Sequence, residues 1–392
     1  MIGFALFGIS NGILDDVRLF VPQVGQKKTK KKPQRSTNQP QMITEADIAK
    51  YNRDGVVCLR DVISPEWLRH LTKAATEVVD DPGLMHEVIQ TPTSPLTYFT
   101  DLEMSNRLSS FDLFTRQGPC AEIAGMLMRS QEVCFLYDQY FEQTKNNTKK
   151  KKKRRGGDVQ STAINNVQST ATATTTTPWH QDQPYWQVEG KDVVSVWIPL
   201  DPTPENFEVQ FIRGSHLWPE HSPFHFGSGE QYVGTGMPNL PDINQGIDDG
   251  SYEVLSFPDA QPGDVIVFSA MTVHGQRPKV NTCNGSEELL IRNLNNKGKG
   301  KGKNRKNRTR PAQQTQGSSP FEQFRRLATR FTGDDARFKL RSGEASEVIP
   351  SRHYPAELEE GDEMECERHP LIWTRRNGNV DNYDSGEPGS RL

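Results

Sequence analysis

The chemistry in this sequence gathers around His180-Gln181-Asp182. Residues two apart in a strand project to the same side, so an imidazole and a carboxylate there would point together at one spot. A second imidazole, His274, stands 92 positions beyond Asp182, at the end of another apolar run. Two histidines and one carboxylate on one face of an iron ion leave its opposite face open. Dioxygen and a chelating cosubstrate could then bind the same metal. An HxD pair alone recurs by chance, so its surroundings must decide.

Strands are needed to hold such a group, and the sequence supplies them. DVVSVWIPLD (Asp192–Asp201), VQFIRGSH (Val209–His216) and GDVIVFSAMTVHG (Gly263–Gly275) are short, rich in β-branched residues and closed by turn residues. Short strands without intervening helices predict a sandwich or barrel. Upstream the texture differs. Thr44 before Glu45-Ala46-Asp47 predicts a helix N-cap with an acidic first turn, and Gly55–Val62 (GVVCLRDV) predicts a strand. Ser64-Pro65 then places an N-cap and a first-turn proline ahead of a helix through Trp67, Leu68, Leu71 and Ala75. Helices cluster near the start, so the expected class is α+β and mainly β.

Several blocks appear in a telling order: YNRDGVVCLRDVISPEW, TPWHQDQPYW (Thr177–Trp186), VVSVWIPLD, FIRGSH, GDVIVFSAMTVHG, RRLATRFTGDDARF (Arg325–Phe338) and HPLIW. Together they resemble the phytanoyl-CoA dioxygenase family of iron(II)- and 2-oxoglutarate-dependent oxygenases, from about Ile43 to Trp373. The resemblance implies a double-stranded β-helix, a cupin-like jelly roll, with flanking helices on its N-terminal side. It implies that His180, Asp182 and His274 hold Fe(II) and act in catalysis. Arg325, beyond the distal histidine, would hold the far carboxylate of 2-oxoglutarate. With O2 as the other cosubstrate, the reaction would hydroxylate a small or lipid-like molecule and release succinate and CO2. Asp182 separates the chain from halogenating relatives, which carry a small residue there.

The chain also departs from the family pattern. Asn281 is the nearest candidate for an asparagine that often follows the distal histidine, and Gln143 stands where relatives frequently carry lysine. His274 and Arg325 are 51 positions apart, a wide gap for the family. Strand parity also bears on Arg325. In FRRLATRF (Phe324–Phe331), one face carries Arg325, Leu327, Thr329 and Phe331, and the other Phe324, Arg326, Ala328 and Arg330. The first, more apolar set is expected to line the barrel, where Arg325 would need an anionic partner. The second set is expected to face solvent.

Composition bounds the rest. Hydrophobic residues are 33% and charged ones 25%, too polar for a chain that is globular throughout. The expected organisation is a disordered leader 1–42, one dioxygenase domain 43–375 with low-complexity inserts Asn146–Thr177 and Asn295–Ser319, and a disordered tail 376–392. The net charge of −3 conceals basic runs at Lys27–Arg35, Lys149–Arg155 and Lys297–Arg310. They lack interleaved aromatics on which bases could stack, so solvated loops are expected and nucleic-acid binding is not. Five scattered cysteines without a CxxC pair exclude a zinc ribbon or thioredoxin motif and suggest free thiols in a reducing compartment, cytoplasmic by default. The apolar opening MIGFALFGIS is too short to span a bilayer.

Blander roles are expected for other conspicuous residues. His216, His221 and His225 read as solvated or structural imidazoles, and Asp334-Asp335 as a turn. Trp179, Tyr185 and Trp186 could line a substrate pocket or pack in the core. The rival to an enzyme is a catalytically silent member that acts as a binding or scaffold protein through its basic loops. The intact triad favours the enzyme.

Overall fold

A computed structural model describes residues 43–90, 96–145, 177–204, 207–226, 229–277, 323–347, 358–376 and 379–382. The expected leader, all of the first insert but Thr177, the whole second insert, the three basic runs and Asn281 lie outside the described residues.

Local signals start the chain. Thr44 caps helix α1 (Glu45–Asp54) in a capping box: its hydroxyl accepts from the Asp47 N–H, and the Asp47 carboxylate accepts from the Thr44 N–H. Gly55 closes α1 at φ 78°, a left-handed conformation that glycine adopts without strain. Ser64 caps α2 (Pro65–Asp80), with proline at the first turn. Helices α3 (Ser109–Gln117) and α4 (Cys120–Met128) follow, and α5 (Ile243–Asp248) comes late. The four longer helices thus precede the HxD motif.

The strands up to the first histidine are β1 (Val56–Leu59), β2 (Glu87–Gln90), β3 (Leu96–Leu102) and β4 (Glu132–Lys145). Beyond it come β5 (Val188–Glu189), β6 (Val193–Pro199), β7 (Gln210–Ile212), β8 (Val254–Ser256), β9 (Val265–Ser269) and β10 (His274–Gly275). The last are β11 (Gln323–Thr332), β12 (Arg337–Phe338), β13 (Leu371–Arg376) and β14 (Asn379–Asn382). The larger sheet is antiparallel, in the order β1-β9-β6-β11-β4-β13-β14, with β3 on the second half of β4 and β2 beyond it. The smaller sheet is β10-β7-β8, and His180 joins its edge through a bridge to His274. Phe211 of β7 meets Val56, Ile266 and Phe268 of the larger sheet between the two layers. This is the expected jelly roll, mainly β with its helices gathered at the N-terminal side.

Helices cover the outer face of the larger sheet. Leu71 and Val78 of α2, Phe111 and Phe114 of α3, and Leu127 of α4 share one core with Val194, Val196 and Ile198 of β6. Burying each such side chain contributes about 1.5–3 kcal/mol. Leu327 and Phe331 belong to that same helix-covered core. The alternation expected in β11 is therefore present, but its faces are reversed. Arg326, Ala328 and Arg330 face the smaller sheet: Arg330 pairs across the strands with Ser195, whose hydroxyl bonds Asp182. The physical reason is the helical cover. A sheet buried on both sides has two protected faces, so the more apolar one does not mark the inside of the roll.

Two boundaries also shift. The strand expected over Val209–His216 stops at Ile212, and a 3-10 turn (Ser215–Leu217) follows. The expected tail is not wholly without structure: β14 lies inside it and pairs antiparallel with β13. An Asn377-Gly378 pair stands between them in the sequence, a strong hairpin signal.

Candidate metal centre

The two histidines are direct cross-strand partners. The His180 N–H donates to the His274 carbonyl at 2.9 Å, and the His274 N–H returns the bond at 2.9 Å. Asp182 reaches the same place by another route than strand alternation. Its φ of −75° and ψ of −45° are helical, and it begins the 3-10 turn Gln183–Tyr185. What aims it is its own N–H, which donates to the Ala270 carbonyl at 2.9 Å.

The three side chains converge. Asp182 Oδ1 lies 3.5 Å from His180 Nε2 and 3.7 Å from His274 Nε2. One ligand atom from each falls within 4.8 Å of the others, and all three residues are buried. His180 Nδ1 meets the Pro178 carbonyl at 2.8 Å, and His274 Nδ1 meets the Thr272 carbonyl at 2.9 Å. A carbonyl only accepts, so each Nδ1 carries the proton and each Nε2 turns its lone pair inward. Ser195 Oγ donates to Asp182 Oδ2 at 3.1 Å, which leaves Oδ1 toward the histidines.

Electrostatics suits the donor set. Burial, then the neighbouring His180, pushes His274 down to about 4, so it is neutral at physiological pH. Burial opposes charge on Asp182, but the facing rings of His274 and His180 and the charge of Arg330 outweigh it and hold the carboxyl well below its usual range. Two imidazole Nε2 atoms and a carboxylate oxygen fit a divalent ion of the iron(II) type.

Aromatic rings enclose the group. Phe226 lies 4.9 Å from the His180 ring and Phe268 4.7 Å from His274, centroid to centroid. Tyr185 flanks His180 and is locked in place: its hydroxyl donates to the Phe224 carbonyl at 2.9 Å and accepts from the Phe224 N–H at 3.0 Å. Trp186 packs edge-on against Tyr137. Trp179 belongs to a separate cluster with Ile212, Ile243 and Val273.

Arg325 is not brought to this group. It lies on the face turned away from Ser195 and gives Asp201 a two-pronged pair, Nε at 2.9 Å and Nη2 at 2.7 Å. The inner-face arginines are Arg326 and Arg330, both buried. Arg326 Nη1 donates to Gln143 Oε1 at 2.8 Å, and burial lowers this guanidinium to about 10. Its Nε has no acceptor. Gln143, the position where relatives frequently carry lysine, thus meets a buried arginine.

The other conspicuous residues have structural roles. His216 meets the Asn52 carbonyl, His221 meets Gln181 and His225 meets Glu344. Asp334 accepts from the Gln131 and Glu132 N–H groups, and Asp335 from those of Lys191 and Asp192, so the pair ties three loops together. Ser195 went unread in the sequence, although a lone hydroxyl within the apolar VVSVW was a usable signal.

Comparison with known proteins agrees with the geometry. The sequence profile of the phytanoyl-CoA dioxygenase (PhyH) family matches residues 51–283. The α-ketoglutarate-dependent non-heme epimerase SnoN from nogalamycin biosynthesis superposes with a TM-score of 0.51 at 15% identity, covering 85% of this chain and 98% of its own. The α-ketoglutarate-dependent carbocyclase SnoK from nogalamycin biosynthesis gives 0.51 at 14% identity, covering 84% and 96%. At such identities the two structures speak for the fold. No curated protein matches the sequence. No helix among the described residues is long and apolar enough to cross a membrane. The profile spans more than half of the sequence, and on that ground the chain belongs to the phytanoyl-CoA dioxygenase family, oxidoreductases of the iron(II)- and 2-oxoglutarate-dependent class.

Proposed function

We propose that the protein hydroxylates a small or lipid-like organic molecule, with release of succinate and CO2. The observation that carries this reading is the inward turn of both Nε2 atoms toward Asp182 Oδ1, fixed by carbonyls behind the rings. His180, Asp182 and His274 would hold the metal. Bound iron(II) would supply a centre where dioxygen and 2-oxoglutarate react, giving an oxidant strong enough for an unactivated C–H bond.

The chain's own part is to place the cosubstrate and exclude water. Arg330 stands level with the triad through its pair with Ser195, and Arg326 lies four residues before it on the same face of β11. Four residues of strand span about 13 Å. A five-carbon dicarboxylate held by its keto-acid end reaches roughly 5 Å from the metal, and an arginine side chain covers roughly the remainder. Arg326, with Nε unanswered, is therefore assigned the far carboxylate, and Arg325 is not. Tyr185, Phe224, Phe226 and Phe268 provide an apolar surround that keeps water from the reacting centre.

The test is anaerobic iron and 2-oxoglutarate binding by the full chain, followed by succinate release on admitting oxygen. One iron per chain and 2-oxoglutarate-dependent succinate are expected. A folded protein that binds neither would be a silent member acting as a scaffold.

A further inference from the structure

Arg330 is 5% exposed, yet only one of its nitrogens has an acceptor: Nη2 donates to Gln139 Oε1 at 2.9 Å. Nε and Nη1 are buried without partners. An unanswered buried donor costs about 1–3 kcal/mol, and more when charged, so two on one guanidinium call for an explanation. The guanidinium lies over the Tyr137 ring (4.4 Å to its centroid) and the Trp186 ring (5.4 Å), cation–π contacts that supply neither an anion nor a hydrogen-bond acceptor for Nε and Nη1. It shares the inner face with Ser195, which bonds Asp182. No acid among the described residues forms an ion pair with it.

Charge makes the same point. This step rests on the proposed function. With two neutral histidines, a divalent metal is half balanced by Asp182. A 2-oxoglutarate dianion then leaves the centre one negative charge over, and Arg326 cancels it. Arg330 remains as one uncompensated positive charge in a buried site, a state that is costly unless an anion joins it.

We infer that Arg330 anchors an acidic group on the primary substrate, so that the substrate class is an organic anion held by its acid end beside the metal. Bound this way, an adjacent carbon of the substrate lies within reach of the reaction, while the rest extends along Tyr185 and Phe226. Arg330 is thus a specificity-determining residue, distinct from Arg326 on the cosubstrate.

The test uses the full chain loaded with manganese(II), which does not turn over, and saturating 2-oxoglutarate. Calorimetry would compare acetate with acetamide, benzoate with benzamide and octanoate with octanamide. Acid should bind at least about tenfold more tightly than amide in one or more pairs, the scale of one charged hydrogen-bonded contact. Arg330→Gln should erase the difference and leave the 2-oxoglutarate Kd within about twofold, while Arg330→Lys should retain part of the preference. Equal binding of acid and amide in all three pairs by the wild-type protein would overturn the inference, even if neither variant folds. So would a 2-oxoglutarate Kd that rises in Arg330→Gln as much as in Arg326→Gln, since the arginine would then serve the cosubstrate. Metal and 2-oxoglutarate binding are measured first in the same sample. Their absence refutes the dioxygenase reading itself.

Discussion

Asp182 uses its two carboxylate oxygens differently, and each use can be tested. Oδ1 faces the histidines, so Asp182→Ala should reduce bound iron to background while circular dichroism stays that of the wild type. Oδ2 accepts from Ser195, and Ser195→Ala should weaken iron by about tenfold, the usual scale for a group that orients a ligand. Iron held at wild-type stoichiometry by Asp182→Ala would refute the site. The arginines separate by face. Arg326→Gln should raise the KM for 2-oxoglutarate by roughly 10- to 100-fold, and Arg325→Gln should leave it near wild type, because Arg325 is engaged with Asp201. The reverse result would put β11 out of register. A third case concerns pH. Burial, then the charge of Arg368, lowers His369 from 6.5 to about 4. The unfolded chain then binds the proton more readily, so stability falls as pH drops from about 6.5 toward 4. The loss attributable to this residue is on the order of 3 kcal/mol. Urea melts of wild type and His369→Gln at pH 7 and pH 5 would show it; parallel losses in both proteins would exclude His369 as the source.

At the scale of elements, Arg341 braces the segment after Asp182 from outside. Arg341 donates to the carbonyls of Trp186 (2.7 Å), Gln183 (2.9 Å) and Val188 (2.8 Å), and pairs through two nitrogens with Glu220. Its side chain is buried, and among those three carbonyls that of Gln183 also accepts from a backbone donor, the Trp186 N–H at 2.9 Å. Arg341→Met should cost about 3 kcal/mol, lower the Tm and weaken iron, since the turn that begins at Asp182 loses its anchor. Arg341→Lys should recover little, because a single ammonium cannot serve a fork of five donors. Unchanged iron affinity in Arg341→Met would mean that the Ala270 carbonyl alone fixes Asp182. Strand β11 shows what element-level reading can miss. Its period of two was plain in FRRLATRF, but which face looked inward depended on the helices α1–α4 laid over the other side.

Over the whole molecule, strands from before and after the expected inserts share one sheet: β4 pairs with β11, and β11 with β6. The boundary of the first insert shortens by a residue, because the Thr177 carbonyl accepts from the Gln276 N–H at 2.8 Å. A chain lacking 146–176 and 295–319, closed by short Gly/Ser links, should therefore stay folded at a cost of about 1 kcal/mol or less and still release succinate. Insolubility of that protein would show that the inserts pack on the roll. The sequence by itself determined what is local or carried by residue type: the caps at Thr44 and Ser64, the short strands, and the His180, Asp182 and His274 that the family resemblance marks. Caps follow from backbone chemistry within four residues, and ligands from the chemistry of their side chains. Tertiary structure alone decided that Arg326 and Arg330, not Arg325, enter the roll, that Ser195 meets Asp182, and that Arg341 braces the turn. Each of these depends on which layer covers which face of a sheet, and side-chain alternation along one strand is the same whichever face is inside.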